Sequence, residues 1–270
     1  MSTIDVPIVR FKDQQVTRED DRVVAEEPLE IFIDDEPYHV TMRLPGEELP
    51  LALGLCHSEG IIDSIDDTLS VNYCRDISSN RIIVYLSPVR KEQAAAKMKQ
   101  KRGTTYSSCG ICGKEIVEDI AVSLKPIAAT VSVQFVFLRQ LQEAVRESQE
   151  IFHATGGTHA AGIFSSTGEL LAFSEDVGRH NALDKAIGKV LFSRKPKEAA
   201  IAVLSSRLSY EMVQKAARLG VEIVCGASAP TKLAIDLAQA VNLTLVGFLR
   251  KDRCNIYTCA ERIDLEAVTR

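Results

Sequence analysis

Three short apolar runs, AAIAVL (199–204), VEIVC (221–225) and LTLVGF (243–248), are separated by two stretches of helical spacing. This alternation constrains the fold more than any other feature of the chain. Short runs that are apolar on both faces read as strands covered on both sides, and parallel strands need a crossover that a helix supplies. The first crossover helix is capped by Ser209 and ends at Leu219-Gly220. The second has Pro230 in its first turn and faces Leu233, Ala234, Leu237, Ala238 and Val241 inward. Upstream, the spacing predicts a helix over 138–153, then a hairpin of strands 160–164 and 170–173 joined by 165–169. A further helix starts at about Asn181, with Leu183, Ala186, Ile187, Val190 and Leu191 on one face. Residues 255–258 close the sheet. The expected product is a mixed, partly parallel sheet covered by helices. Ligands of such sheets bind outside the carboxyl ends of the strands. Those ends are Ser205, Ser206 and Arg207, then Gly226, Ala227 and Ser228, then residues 250–253.

The first half reads as a small α+β region over 1–102. Strands 30–33 and 38–43 flank the turn Asp34, Asp35, Glu36 and Pro37. A helix follows Pro45-Gly46 and ends at Gly60, strands 69–74 and 82–86 are separated by Asn80-Arg81, and a helix over 89–102 is stopped by Gly103. A loop over 103–126 carries SCGICG, and the second domain spans 127–270. There is no internal repeat.

The net charge of -5 argues against a nucleic-acid binder, which needs a basic surface. Residues 1–21 lack an apolar core of signal-peptide length and are too acidic for a transit peptide. No apolar run approaches the roughly 20 residues of a membrane span. A cytoplasmic protein without membrane attachment is expected. The seven cysteines, Cys56, Cys74, Cys109, Cys112, Cys225, Cys254 and Cys259, are odd in number and scattered, unlike a disulfide framework. Cys56 and Cys225 lie in apolar segments and read as core residues.

Cys109 and Cys112 form a C-x-x-C among glycines and serines. A redox dithiol, half a zinc site and a sulfur-carrying nucleophile all use this spacing. Taken in order, SEGII (58–62), SCGICG (108–113), GGTHAAG (156–162), EDVGRHNALDKAIG (175–188), SSRLSYEMVQKAARLG (205–220), SAPTKLA (228–234), LVGFLR (245–250) and NIYT (255–258) resemble the FdhD/NarQ family, the formate dehydrogenase accessory sulfurtransferases. The resemblance covers essentially the whole chain. It implies a persulfide carried on Cys109, with Cys112 as its companion, loaded by a cysteine desulfurase. It also implies delivery to the bis-(molybdopterin guanine dinucleotide) molybdenum cofactor before that cofactor enters formate dehydrogenase. The implied cofactor-binding stretch is Phe248, Leu249, Arg250, Lys251, Asp252 and Arg253, for which GDP would be a partial mimic. A cytidine deaminase-like, three-layer second domain and a homodimer are implied as well. The alternative is a non-enzymatic cofactor-binding chaperone.

The residues can be weighed beside that resemblance. A sulfur carrier needs a thiolate on an accessible loop. Gly103, Gly110 and Gly113 permit backbone angles that other residues avoid, and the cations of KMKQKR (97–102) and Lys114 favour a thiolate. The same basic run also reads as a solvated helix end. A structural zinc site needs four ligands, and Cys254 and Cys259 have the wrong spacing to complete one. A thioredoxin-like dithiol opens a helix after a strand, whereas this pair follows a helix and a glycine-rich loop. A buried structural pair is rarely flanked by so much Gly and Ser. A zinc deaminase needs H-x-E and P-C-x-x-C. His180-Asn181-Ala182 has no carboxylate at its third position and no cysteine pair follows 205–207, so no metal site is expected. A fold without its catalytic ligands can still keep a nucleotide pocket.

In that pocket Arg250, Lys251 and Arg253 would neutralise a diphosphate and Phe248 would contact a ring. Arg179, His180, Asn181 and Arg207 sit at element ends that can line the same cavity or serve as ordinary hydrogen-bonding ends. Gly156-Gly157-Thr158 reads as a tight entry into the hairpin, since it opens no helix as a phosphate loop does. His39, His57, His153 and His159 show no ligand spacing and receive no role.

Overall fold

The computed structural model describes residues 2–74, 80–101, 124 and 126–265. Its first element was not anticipated by patterning. Strands β1 (Thr3–Lys12) and β2 (Gln15–Val24) pair antiparallel along their whole length as a two-stranded ribbon. Asp13 and Gln14 join them with φ of 51° and 63°, the left-handed pair that a tight two-residue hairpin demands. Val9, Phe11 and Val16 stand exposed on one face near the tip.

A second sheet has the order β4-β3-β6-β5, from β3 (Glu27–Ile33), β4 (Glu36–Arg43), β5 (Thr68–Tyr73) and β6 (Arg81–Leu86). The β3–β4 turn is Asp34-Asp35, with Asp34 at φ 53°; Glu36 and Pro37 belong to β4 rather than to the turn. Helix α1 (Glu48–Ser58) lies in LPLALGLC and is apolar nearly all round, so it must be covered on several sides. Helix α2 is Pro88–Lys101.

The expected helix over 138–153 is two helices, α3 (Phe135–Glu147) and α4 (Glu150–Thr155). The break has a polar cause. Ser148 Oγ donates back to the Ala144 carbonyl at 2.8 Å, and the buried Glu175 carboxylate takes the Ile151 and Phe152 N–H groups at 3.0 and 2.9 Å, which starts a new helix. A two-residue strand, β7 (Val133–Gln134), precedes α3 and pairs with β14 (Ile263–Asp264).

The main sheet has the order β13-β12-β11-β10-β8-β9. Its strands are β8 (His159–Phe164), β9 (Leu170–Asp176), β10 (Ile201–Leu204), β11 (Ile223–Gly226), β12 (Thr244–Gly247) and β13 (Asn255–Ile256). The three apolar runs become β10, β11 and β12, parallel and buried at every residue. β8 and β9 form the expected antiparallel hairpin, and β13 closes the other side antiparallel. Helix α5 (Arg179–Phe192) follows β9, α6 (Tyr210–Leu219) follows β10, and α7 (Lys232–Ala240) follows β11. Ser209 holds the N-cap position of α6 without a side-chain cap bond. Pro230 lies outside α7, not in its first turn: Thr231 is the N-cap, and its hydroxyl accepts from Ala234 N at 3.3 Å. The mixed α+β content and partly parallel sheet match the sequence expectation.

Two helices join the halves by backbone contact. A Cβ built on Gly54 of α1 would lie 1.8 Å from the Asp184 carbonyl oxygen, and one on Gly188 of α5 would lie 1.9 Å from the Pro50 carbonyl oxygen. Polar links surround this crossing. Ser58 Oγ donates to Asp184 at 2.6 Å, and Lys215 Nζ pairs with the same carboxylate. Lys185, 1% exposed, pairs with the fully buried Asp176 at 2.7 Å and donates to the Leu44 carbonyl at 2.9 Å. One apolar cluster accordingly runs from Leu29 and Ile31 of the first sheet through α1 and α5 to Leu245 of the main sheet.

Two predictions follow from this packing. Gly188→Ala places its methyl group against backbone that cannot rotate away, so the helices must separate. We expect a loss of roughly 3 kcal/mol or more in denaturant unfolding, or no folded product; a variant as stable as the parent would show that the crossing yields easily. The second concerns His57, which is 4% exposed and whose Nδ1 has no partner. Burial first, then the charge of Arg218, lowers its pKa from 6.5 to about 3. The folded state therefore keeps His57 neutral while the unfolded chain protonates it. Its stabilising effect is present above pH 6.5 and is lost progressively as pH falls towards 3. Between pH 7 and pH 5 the loss is on the order of 2 kcal/mol. His57→Leu should flatten that part of the stability curve, and equal slopes in the two proteins would refute a neutral buried His57.

Candidate functional site

The carboxyl ends of β10, β11 and β12 meet the amino end of β8 along one edge of the main sheet. The chain leaves β12 at Gly247, where a Cβ would lie 2.9 Å from the Pro230 ring and 3.1 Å from the Ser228 carbonyl oxygen, so a side chain there would push these backbones apart. Phe248 follows at φ 53°, its N–H donating to Ser228 O at 3.2 Å, and the residue is 37% exposed. Leu249 is wholly buried in the cluster with Val203 and Val246. Its N–H bonds Gly226 O at 3.1 Å and its carbonyl accepts from Gln142 Nε2 at 2.6 Å. A tight turn comes next, closed by Arg250 N to Arg253 O at 2.8 Å. Arg250, Lys251, Asp252 and Arg253 are all exposed on it. Of the six residues in the implied stretch, five present side chains at the edge, and Leu249 pins the turn to the core.

A second set of charges lies along the same edge. Ser205, just past β10, bonds Ala160 twice: its N–H donates to Ala160 O at 3.0 Å, and its hydroxyl accepts from Ala160 N at 2.8 Å. His159 therefore sits beside the 205–207 segment, and across the hairpin it faces Asp176, three residues before Arg179. Burial, then the charges of Arg179, Arg207 and His180, hold the His159 pKa below its ordinary value. His180 Nε2 meets Glu211 Oε2 at 2.8 Å, and this bond is the largest cause of the lowered Glu211 pKa. Asn181 turns away from the edge, its amide donating to Met42 O at 2.8 Å and to Asp176 at 3.2 Å. Sequence reasoning missed His159 and Glu211, because neither has a partner close in sequence; only the strand pairing and the α5–α6 arrangement bring them in.

Cys109 and Cys112 lie outside the described residues. The chain is described up to Lys101 and again at Leu124. After it, Ile127 N donates to Val241 O at 2.9 Å, and the Glu222 carboxylate takes Thr130 N and Val131 N at 2.8 and 3.0 Å as well as the Thr130 hydroxyl. Cys56 and Cys225 are buried core residues, and burial pushes the Cys225 thiol pKa up. Gly156, at φ 69°, caps α4 and leads into β8 as a tight entry. Among the described residues no group of three or more His, Cys, Asp or Glu is placed to hold a metal ion, and no helix is long and apolar enough to cross a membrane.

The profile of the FdhD/NarQ family matches residues 24–264. This chain belongs to the FdhD/NarQ family. It is 41% identical over 262 residues to a protein of Sulfurisphaera tokodaii named sulfur carrier protein FdhD, covering 96% of this chain and 98% of that one. It is 38% identical over 268 residues to a Streptomyces coelicolor protein of the same name, covering 96% and 95% of the two chains. Its structure resembles the crystal structure of a candidate formate dehydrogenase accessory protein from Desulfotalea psychrophila, with a TM-score of 0.78, 25% identity, and coverage of 98% of this chain and 100% of that one. The FdhD/NarQ match begins at Val24, so β1 and nearly all of β2 precede the matched region.

Proposed function

We propose that this FdhD/NarQ protein is a sulfur carrier that takes persulfide sulfur from a cysteine desulfurase on Cys109 and transfers it to the bis-(molybdopterin guanine dinucleotide) molybdenum cofactor needed by formate dehydrogenase. The observation that carries the reading is identity of about two residues in five, over nearly the full length of both chains, to a protein named sulfur carrier protein FdhD. The exposed cationic turn at the carboxyl edge of the sheet supports the cofactor half of it. In the loading step the Cys109 thiolate attacks the outer sulfur of the donor persulfide. A new S–S bond forms on Cys109, and the donor cysteine leaves as a thiolate that takes up a proton. The cofactor is cargo: Arg250, Lys251 and Arg253 neutralise its diphosphates and Phe248 offers a face to a guanine ring. A cytoplasmic homodimer without nucleic-acid or membrane partners completes the proposal. The second reading, a chaperone that holds cofactor without transferring sulfur, needs the same turn but not the thiols.

Two experiments test it. GDP should bind measurably in calorimetry and ADP less well. Replacing Arg250 and Arg253 together by Ala should weaken GDP about tenfold while leaving thermal unfolding unchanged, since the turn is held by backbone bonds; no GDP binding to the parent would refute the placement of the cofactor. For the thiols, the protein is incubated with a cysteine desulfurase and cysteine, and its intact mass and modified peptide are measured. One sulfur atom should be gained at Cys109, lost in Cys109→Ala and also in Cys109→Ser, because a hydroxyl is too weak a nucleophile. Cys112→Ala should retain part of the activity. Full activation of formate dehydrogenase by Cys109→Ala would replace the carrier by the chaperone.

A further inference from the structure

Among the described residues of this acidic chain most arginines are paired with carboxylates: Arg10, Arg22, Arg43, Arg81, Arg90, Arg146, Arg194, Arg218 and Arg262 all are. Among the described residues those without an ion pair are Arg18 on the ribbon, Arg139, Arg179, Arg207, Arg250 and Arg253. The last four share one edge of the main sheet. Arg250 and Arg253 are on the turn after β12. Arg179 at the start of α5 and Arg207 past the end of β10 both act by charge on His159, and neither guanidinium has a hydrogen-bond partner among the described residues; Arg179 Nε is also buried. The nearby carboxylates are engaged elsewhere, Asp176 with Lys185 and Glu211 with His180. Arg179 feels the Glu211 carboxylate, which is shared with His180 and Lys215, while no carboxylate pairs with Arg207 among the described residues, so an anion at this edge would meet uncompensated positive charge.

We infer that Arg179, Arg207 and His159 form a second oxyanion subsite, separate from the 250–253 turn, and that the ligand of this edge carries phosphate groups to both. This deepens the cofactor reading above and rests on it. β11 lies between β10 and β12, so the strands from which Arg207 and the 250–253 turn emerge are two inter-strand spacings apart, about 10 Å. A ligand with an extended or doubled diphosphate can reach both, each end meeting guanidinium donors suited to bidentate contact. His159, whose pKa burial and the neighbouring cations hold below its ordinary value, adds a ring nitrogen to the same edge. No acidic residue occupies the first turn of α5, so the positive end of that helix also favours the anion.

The test uses the full chain, with GDP, inorganic pyrophosphate and P1,P4-diguanosine tetraphosphate as calorimetric probes. The tetraphosphate should bind the parent at least about tenfold more tightly than GDP, because the second contact is intramolecular. The Arg179→Ala/Arg207→Ala variant should lose that advantage while still binding GDP, and Arg207→Lys should keep part of it. Arg207 is exposed, so Arg207→Gln alone should show the loss in a folded protein if the double variant is unstable. The His159 ring signals in NMR should shift on adding pyrophosphate to the parent and not to the double variant. Unchanged tetraphosphate affinity in Arg179→Ala/Arg207→Ala would overturn the subsite and leave the guanine reading intact. The converse is equally distinct: pyrophosphate binding that depends on Arg179 and Arg207 but no binding of GDP would sustain the subsite and sink the guanine reading.

Discussion

The crossing of α1 and α5 at Gly54 and Gly188 is the contact on which the rest of the structure depends. The two helices touch through backbone atoms, with no room for even a methyl group on either side. Such closeness leaves no volume for compensating rotamers, so the first sheet and the main sheet have one relative placement. The buried Lys185–Asp176 pair beside it acts on the same joint. Its net stabilisation is small because both charges lose water, but losing either partner leaves a buried charge unmatched. Asp176 also accepts Leu44 N at 3.1 Å and Gly178 N at 2.9 Å, and so fixes the residue that opens α5.

That fixing reaches the carboxyl edge of the main sheet directly. Arg179 is the first residue of α5, and Asn181, two positions on, is tied to the first half through Met42 O. The arginine of the inferred subsite is thus set by a helix clamped from behind. Leu249 does the corresponding work for the other arginine pair, since its side chain is core and its backbone ties the turn to Gly226 and Gln142. Both groups of cations are presented by rigid supports, which would reduce the ordering cost of binding at the proposed sites.

The main sheet was legible because β10, β11 and β12 are buried at every residue, and unbroken apolar runs have no competing reading once helices separate them. The α3–α4 break was not legible: its cause is Glu175, a carboxylate from the next hairpin, and helical spacing continues smoothly across Ser148. The β1–β2 ribbon escaped because its turn uses Asp13 and Gln14 where glycine would have signalled a left-handed pair, and because Arg18, Glu19, Asp20 and Asp21 break the apolar alternation. Along the carboxyl edge, the stretch from Phe248 to Arg253 was named only through the family resemblance, whereas the placing of His159 beside 205–207 depends on strand order. Asn181 shows the limit of reading by proximity in sequence: it adjoins His180 yet faces the other way.

The all-round apolar surface of α1 also bears on how the chain is made. One of its covers, α5, is encoded more than a hundred residues further on. At a synthesis rate of roughly 5–20 residues per second, the ribosome needs on the order of ten seconds to deliver that cover. During this interval LPLALGLC lacks its final partner, although the first sheet can already form. The nascent chain therefore passes through a stage in which a sticky helix waits for its mate.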